Sequence, residues 1–217
     1  MAIAQRDSRA QIIAVDLHPQ RARLLRRLID SSKTILDDRP ADNSGGGNQN
    51  GDEESADRSH SAKLETGNIF VVSADARQLP FCGKFDRVLA DVPCSGTGTL
   101  ARNPEIKWRL KPEDLDDLHA RQLAILRGAM NSVAAGGRVI YSTCSLEIEE
   151  NEKVVEQALA QDNSFRLLDC RVELERLQAE GELVWSDAAS LTRGPYLRTL
   201  PGVHPCDGFF AAIIEKL

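Results

Sequence analysis

Two cysteines stand in turns that could support covalent chemistry. Cys94 lies in D-V-P-C-S-G, residues 91–96, and Cys144 lies in S-T-C-S, residues 142–145. A thiolate is a strong nucleophile and can leave again, so such a group can form and later break a bond to an electron-poor carbon. Asp91, ahead of Cys94, adds a carboxylate that can hold an amine or a hydroxyl. Asp16 and Asp75 offer the same group after Q-I-I-A-V and N-I-F-V-V-S. Carboxylates at the carboxyl ends of strands sit where open α/β sheets bind ligands. One such aspartate is most often a helix N-cap. Three on one sheet edge point to a nucleoside-containing cofactor. Each cysteine alone also reads as a small buried residue, and Cys82, Cys170 and Cys206 are read that way. Cys94 and Cys144 differ because they share the edge with the acids. Helix N-termini downstream of each would favour thiolate.

The elements that must position these residues follow from periodicity. Short apolar runs at Gln11–Val15, Asn68–Ser73, Phe85–Ala90 and Arg138–Tyr141 read as buried strands. So do Phe165–Leu168 and Gly208–Glu215. Pro19 opens a helix reaching to about Leu36, with Leu24, Leu25, Leu28 and Ile29 on one face and arginines on the other. Pro112 to Ala134 reads as a long helix, its apolar side made by Leu115, Leu118, Leu123, Leu126 and Met130. Glu113 and Asp114 suit the dipole at its start. Glu149–Gln161 reads as an acidic amphipathic helix, and Leu191–Val203 as a Pro/Gly-punctuated loop. This alternation predicts a doubly wound α/β domain with an antiparallel strand pair at the C-terminal sheet edge.

The 217 residues suffice for one such domain. No apolar run approaches the roughly 20 residues that cross a bilayer, and the N-terminus has no signal-peptide pattern. Five cysteines without framework spacing or CxxC pairs imply a reducing, cytoplasmic setting and neither disulfides nor structural zinc. Net charge is −6, but residues 37–62 hold seven acids against two bases. The remainder is nearly neutral, so total charge does not exclude a nucleic-acid partner. Residues 37–62 contain no Val, Ile, Leu or aromatic residue and predict a disordered acidic insertion. No internal repeat is present.

The run F-D-R-V-L-A-D-V-P-C-S-G, residues 85–96, resembles at every position the signature of the RNA (cytosine-5) methyltransferases of the Sun type. The resemblance continues through Arg102, Asn103, Pro104, Glu105 and Lys107-Trp108, then Gly136-Gly137 and Y-S-T-C-S-L with Glu149, Glu150 and Asn151. It closes on Leu200-Pro201, His204 and D-G-F-F-A-A. It implies a Rossmann-like class I S-adenosylmethionine-dependent fold and methylation of cytosine C5 in RNA, ribosomal RNA by preference. It implies that Cys144 attacks C6 of the base and that Cys94 assists release. Asp91 would hold the cytosine near the methyl donor, Asp16 the cofactor ribose and Asp75 its adenine. Arg102, Lys107 and Trp108 would contact RNA, although Trp108 also suits a packing role. No metal is implied.

The family also carries a strand and a glycine-rich cofactor loop ahead of the strand at Gln11–Val15. Only M-A-I-A-Q-R-D-S-R-A stands there, so the chain reads as an N-terminally truncated, partial catalytic domain over residues 1–217. Weak cofactor binding is then expected. The strands at Gln11–Val15 and Phe85–Ala90 would pair directly, borrow a strand, or leave part of the chain unfolded. Two other readings stand beside this one. In a DNA cytosine methyltransferase the Pro-Cys cysteine itself attacks, which leaves Cys144 without a role. In a non-catalytic remnant the chain binds RNA or a protein partner only.

Overall fold

The structure is a computed structural model that describes residues 10–37 and 68–217, apart from the side chains of residues 32–37. The acidic stretch at 37–62 therefore lies outside the described residues, save for Asp37, which ends a helix. The chain divides into two compact units, Met1–Asp75 and Ala76–Leu217.

In the first unit, β1 (Ile12–Asp16) and β2 (Ile69–Ser73) form a two-stranded parallel sheet joined through α1 (Pro19–Asp37). Asp16 stands opposite Ser73, and the Ala74 N–H donates to the Asp16 carbonyl, so Asp16 and the segment entering Asp75 share one end of the sheet. Ala22 and Ile29 of α1 are buried, whereas Leu24 and Leu28 are exposed. The apolar face expected of this helix is thus only partly covered, because a two-stranded sheet is narrower than the helix stripe.

The second unit is built on a six-stranded sheet. Its elements are β3 (Phe85–Asp91), α2 (Ile106–Arg109), α3 (Pro112–Ser132), β4 (Val133–Thr143) and α4 (Glu152–Leu159). They continue with β5 (Phe165–Leu168), α5 (Cys170–Ala179), β6 (Thr192–Arg193), β7 (Tyr196–Thr199) and β8 (Phe209–Lys216). β3 and β4 are parallel; β8 runs antiparallel to β4. The other edge of β8 takes β5 along its C-terminal half and β7 along its N-terminal half, both antiparallel. β5 and β8 are the expected antiparallel pair.

Several boundaries differ from the sequence reading. Helix α3 starts at Pro112, and the Asp114 carboxylate accepts the Lys111 N–H at 2.9 Å. It stops at Ser132 and passes straight into β4, which is far longer than Arg138–Tyr141. The extra length is an irregular entry: Gly136 takes φ +70°, and a Cβ on Gly137 would press on the Asp86 carbonyl at 3.0 Å. The Leu191–Val203 loop contains the β6–β7 hairpin, turned at Gly194 with φ +60°. Strand β3 was expected to be buried. Leu89 is 66% exposed, since β3 is the edge of its sheet and pairs only with β4 among the described residues.

The core of this unit lies between the sheet and helices α3 and α4, with Leu126, Val133, Val139, Val154 and Ile214 fully enclosed. Phe210 of β8 is also fully buried, its ring centroid 6.3 Å from that of Tyr141 and 5.1 Å from that of Tyr196. It faces Thr143 across the ladder. Phe210→Ala is expected to lower the unfolding free energy of this unit by about 3–5 kcal/mol, through lost burial and a cavity. Urea titration followed by circular dichroism measures this.

Candidate active site

The parallel register of β3 and β4 fixes the site. Asp91 pairs with Ser142, so the chain leaves both strands at the same level. The turns that follow carry Cys94 and Cys144, and their sulfur atoms lie 3.3 Å apart. Asp91 is exposed at the strand end and accepts the Ser142 hydroxyl at 3.1 Å. The structure thus brings Asp91, Cys94 and Cys144 together on one edge. A close backbone approach locks the two turns. The Gly98 N–H donates to the Cys144 carbonyl at 2.9 Å, and the Gly208 N–H to the Gly98 carbonyl at 2.9 Å. A Cβ on Gly98 would stand 2.3 Å from the Gly208 oxygen and 2.7 Å from the Cys144 oxygen, so only glycine fits.

A buried polar network lies behind the thiols. The Glu150 side chain is fully buried. Its Oε1 accepts from the Ser95 N–H and the Gln122 amide, both at 2.8 Å. Its Oε2 accepts from the hydroxyls of Ser95 and Ser145. Gln122 also donates to the Pro93 carbonyl at 2.9 Å. The Tyr141 hydroxyl donates to the Glu150 carbonyl at 2.6 Å, and burial holds that phenol well above its usual range. On the second turn, Thr143 donates to Asn151 Oδ1 at 2.6 Å and Asn151 Nδ2 donates to the Ser145 carbonyl at 2.9 Å.

The remaining candidates are placed as follows. Asp16, at the end of β1, accepts the His18 N–H at 2.7 Å in a local turn ahead of the helix at Pro19, and its other carboxylate oxygen can accept from a ligand. Asp75 lies two residues beyond β2 and is half-buried. Arg102 is ion-paired with Asp207. Lys107 lies 5.8 Å from the Trp108 ring centre, and Trp108 is 83% exposed, so it does not pack in the core. Among the described residues no group of His, Cys, Asp and Glu side chains is arranged to hold a metal. No described helix is long and apolar enough to cross a membrane.

Residues 52–215 match the family of 16S rRNA methyltransferase RsmB/F. The chain belongs to this family. It is 36% identical over 166 residues to the 25S rRNA (cytosine-C(5))-methyltransferase nop2 of Schizosaccharomyces pombe, covering 71% of this chain and 26% of that protein. It is 42% identical over 131 residues to a probable ribosomal RNA small subunit methyltransferase B of Synechocystis, covering 60% of this chain and 27% of that protein. The chain thus spans about a quarter of the length of the curated relatives it matches. Among solved structures, PH0851 superposes with a TM-score of 0.67 at 25% identity, covering 95% of this chain and 37% of that one. NSun6 from Pyrococcus horikoshii, solved with SFG, superposes at 0.66 with 24% identity, covering 99% of this chain and 44% of that one. The fold is the Rossmann-like fold of class I methyltransferases.

Within this RsmB/F-family chain, the sequence reading met Glu150, Ser95 and Ser145 only as motif positions without a role, and did not reach Gln122. One signal was available: the same Cys-Ser pair closes both turns. A second difference concerns the thiols. Helix N-termini were expected to favour thiolate at both. Instead Thr97–Thr99 is only a single 3-10 turn after Cys94, and α4 begins well beyond Cys144. The Cys94 thiol is pushed up to about 12, first by burial and then by its hydrogen bond to Cys144. Cys94 is therefore a neutral thiol at physiological pH. Folding also holds a proton that the unfolded thiol releases above about pH 8.5, so this group's contribution to stability falls as pH rises past that value. Alkylation of Cys94 by iodoacetamide is expected to be slow at about pH 7 and to keep rising past about pH 10, while a free cysteine peptide reacts faster and levels off once its thiol is ionised above about pH 8.5. Peptide mapping by mass spectrometry reads the rate.

Proposed function

We propose that this chain methylates C5 of a cytosine in ribosomal RNA, through a covalent bond between Cys144 and C6 of the base. The observation that carries the reading is the pair of thiols at 3.3 Å beside Asp91 on one sheet edge. C5 of cytosine is a poor nucleophile. Addition of the Cys144 thiolate to C6 forms an S–C6 bond and moves electron density onto C5, dividing one high barrier into two lower ones. S-Adenosylmethionine, when bound, supplies an electrophilic methyl group. A base from solvent then takes the C5 proton, the C5–H electron pair forms the ring double bond, and the C6–S bond breaks with its electron pair on sulfur, releasing Cys144 as a thiolate. Cys94 holds its proton and stands 3.3 Å from the departing sulfur, so it can donate its S–H to the thiolate as that leaves. Asp91 accepts from the amino edge of the cytosine and so orients the ring.

The donor set fits the cofactor. Asp16 and Asp75 place carboxylate acceptors at one end of the β1–β2 sheet, suited to the ribose hydroxyls and the adenine amine respectively. The family membership and the likeness to a structure solved with SFG, an S-adenosylmethionine analogue, support the same choice. RNA would lie against Lys107 and the exposed Trp108, which offers a stacking face, with Arg102 beside them. A cytosine must leave its stack to reach the strand ends. We read residues 1–217 as part of one cytoplasmic catalytic domain carrying an acidic insertion at 37–62.

The two cysteines then have separable phenotypes. With ribosomal RNA and S-adenosylmethionine present, Cys144→Ala is expected to abolish any protein–RNA adduct on a denaturing gel. Cys94→Ala is expected to accumulate one, because attack proceeds and release stalls. An adduct in Cys144→Ala together with none in Cys94→Ala would reverse the roles and favour attack by the Pro-Cys cysteine.

A further inference from the structure

We propose that Glu150 is a positioning residue: it sets the separation of the two thiols and so governs how quickly Cys144 is released from the RNA. The proposal rests on the covalent reading above for its second half only. Its first half, the thiol separation, stands on the geometry of the network.

The Glu150 carboxylate takes hydrogen bonds from both cysteine turns. Its Oε1 takes the Ser95 N–H, and Gln122 links that same oxygen to the Pro93 carbonyl, so both neighbours of Cys94 in the chain are tied to it. Its Oε2 takes the hydroxyl of Ser145, the residue after Cys144, at 2.5 Å. The Ser95 hydroxyl joins on the same oxygen. Each hydroxyl has one proton, and both protons go to the carboxylate. The 3.1 Å Ser95–Ser145 oxygen contact therefore follows from sharing one acceptor and is no independent tie. The carboxylate is itself held from β4, through the Tyr141 hydroxyl on its backbone carbonyl.

Two features mark this as more than packing. All four hydrogen bonds to the carboxylate come from neutral donors, so no cation offsets its burial. Such an arrangement is costly and holds only with every donor in place. The Gln122 amide also leaves its own Oε1 buried without a partner, because its NH2 is committed to Pro93 and Glu150. Both costs are borne at the point where the turns bearing the two thiols meet.

Release needs Cys94 within reach of the Cys144 sulfur. A group that lets the turns drift apart should behave like loss of Cys94 while leaving attack by Cys144 intact. A Gln at position 150 can keep its oxygen toward the Ser95 N–H and the Gln122 amide. Its NH2 then faces two hydroxyls that can rotate to accept. An Ala can do neither.

The test reads the thiol separation directly and needs no RNA. Diamide joins two neighbouring thiols: both S–H bonds are lost, one S–S bond forms, and the N=N bond of diamide is reduced to N–N with two new N–H bonds. Peptide mapping follows the Cys94–Cys144 link over time in wild type, Glu150→Ala and Glu150→Gln, with circular dichroism as the check on folding. Glu150→Ala is expected to slow the link by roughly tenfold or more, since a displacement of about 1 Å at reacting atoms has effects up to about a hundredfold. Glu150→Gln is expected to link at close to the wild-type rate. In the RNA gel assay, Glu150→Ala is expected to accumulate adduct as Cys94→Ala does. A folded Glu150→Ala that links at the wild-type rate overturns the proposal. If Glu150→Ala does not fold, Ser145→Ala carries the test, because it removes the hydroxyl that ties the second turn to Glu150, together with that hydroxyl's contacts to the Glu147 N–H and Thr97; slowed linking supports the proposal and wild-type linking overturns it. If no protein forms an RNA adduct while the diamide rates differ as expected, the proposed reaction fails and the positioning role of Glu150 stands.

Discussion

The site depends on one constraint, the parallel pairing of β3 with β4. Parallel neighbours leave the sheet on the same side, so two segments far apart in the chain can place side chains within contact distance there. Asp91 and Ser142 are partners in that ladder, and the sulfurs of Cys94 and Cys144 meet just beyond it. A slip of one residue would turn the strand side chains to the opposite face and separate the turns. The antiparallel β4–β8 ladder resists such a slip from the other side, with Thr143 opposite the buried ring of Phe210. The turns therefore inherit their precision from the core.

A strand end fixes where a turn begins but not its shape. The shape here comes from hydrogen bonds that cross from one turn to the other. The Cys144 carbonyl accepts the Gly98 N–H, and Thr97 Oγ1 accepts the Leu146 N–H at 2.9 Å. Behind the second turn, Arg198 of β7 donates to the Leu146 carbonyl at 2.7 Å and pairs with Glu152 at 2.6 Å. That pair is largely buried and leaves Arg198 Nε and Glu152 Oε2 without partners. Buried ion pairs rarely stabilise in proportion to their number. The geometry of Arg198, which reaches a backbone carbonyl beside Cys144, gives the pair a local task.

The strand ends and their acids were legible because each is an apolar run followed by a carboxylate, a pattern that period alone exposes. The pairing of Cys94 with Cys144 was legible through the resemblance of their turns to a known family. What stayed hidden had physical reasons. Strand β4 grows out of α3 with no linker, and A-A-G-G between them looks like a turn because Gly136 does adopt a left-handed conformation. The β6–β7 hairpin is only a few residues long and turns on Gly194-Pro195, which reads as loop punctuation. Helix α5 carries alternating charges and shows only a narrow apolar stripe, with Cys170 and Leu174 buried. Glu150 was the least visible. It sits beside Glu149 in an acidic stretch, and spacing alone does not separate them. Glu149 pairs with Lys153 at 2.8 Å on the surface, and Glu150 is enclosed. Only the tertiary placement of Ser95, 55 positions away, distinguishes the two carboxylates.

In the proposed reaction two chemically identical groups take different parts. A thiol that must attack needs to be free to ionise, and one that must assist departure needs to keep its proton. Two thiolates at 3.3 Å would repel each other strongly. Burial holds the proton on Cys94. Cys94 follows Pro93 into the turn that Gln122 and Glu150 hold against the core, and its thiol is raised to about 12. Its proton then remains between the sulfurs throughout the physiological range, where a departing Cys144 thiolate can use it. The same burial makes Cys94 a poor nucleophile toward an outside substrate, since charging it would cost most of the desolvation energy that keeps it neutral. Both thiols are half-buried, so what sets Cys94 apart is its surroundings in the turn held by Gln122 and Glu150, not its residue type.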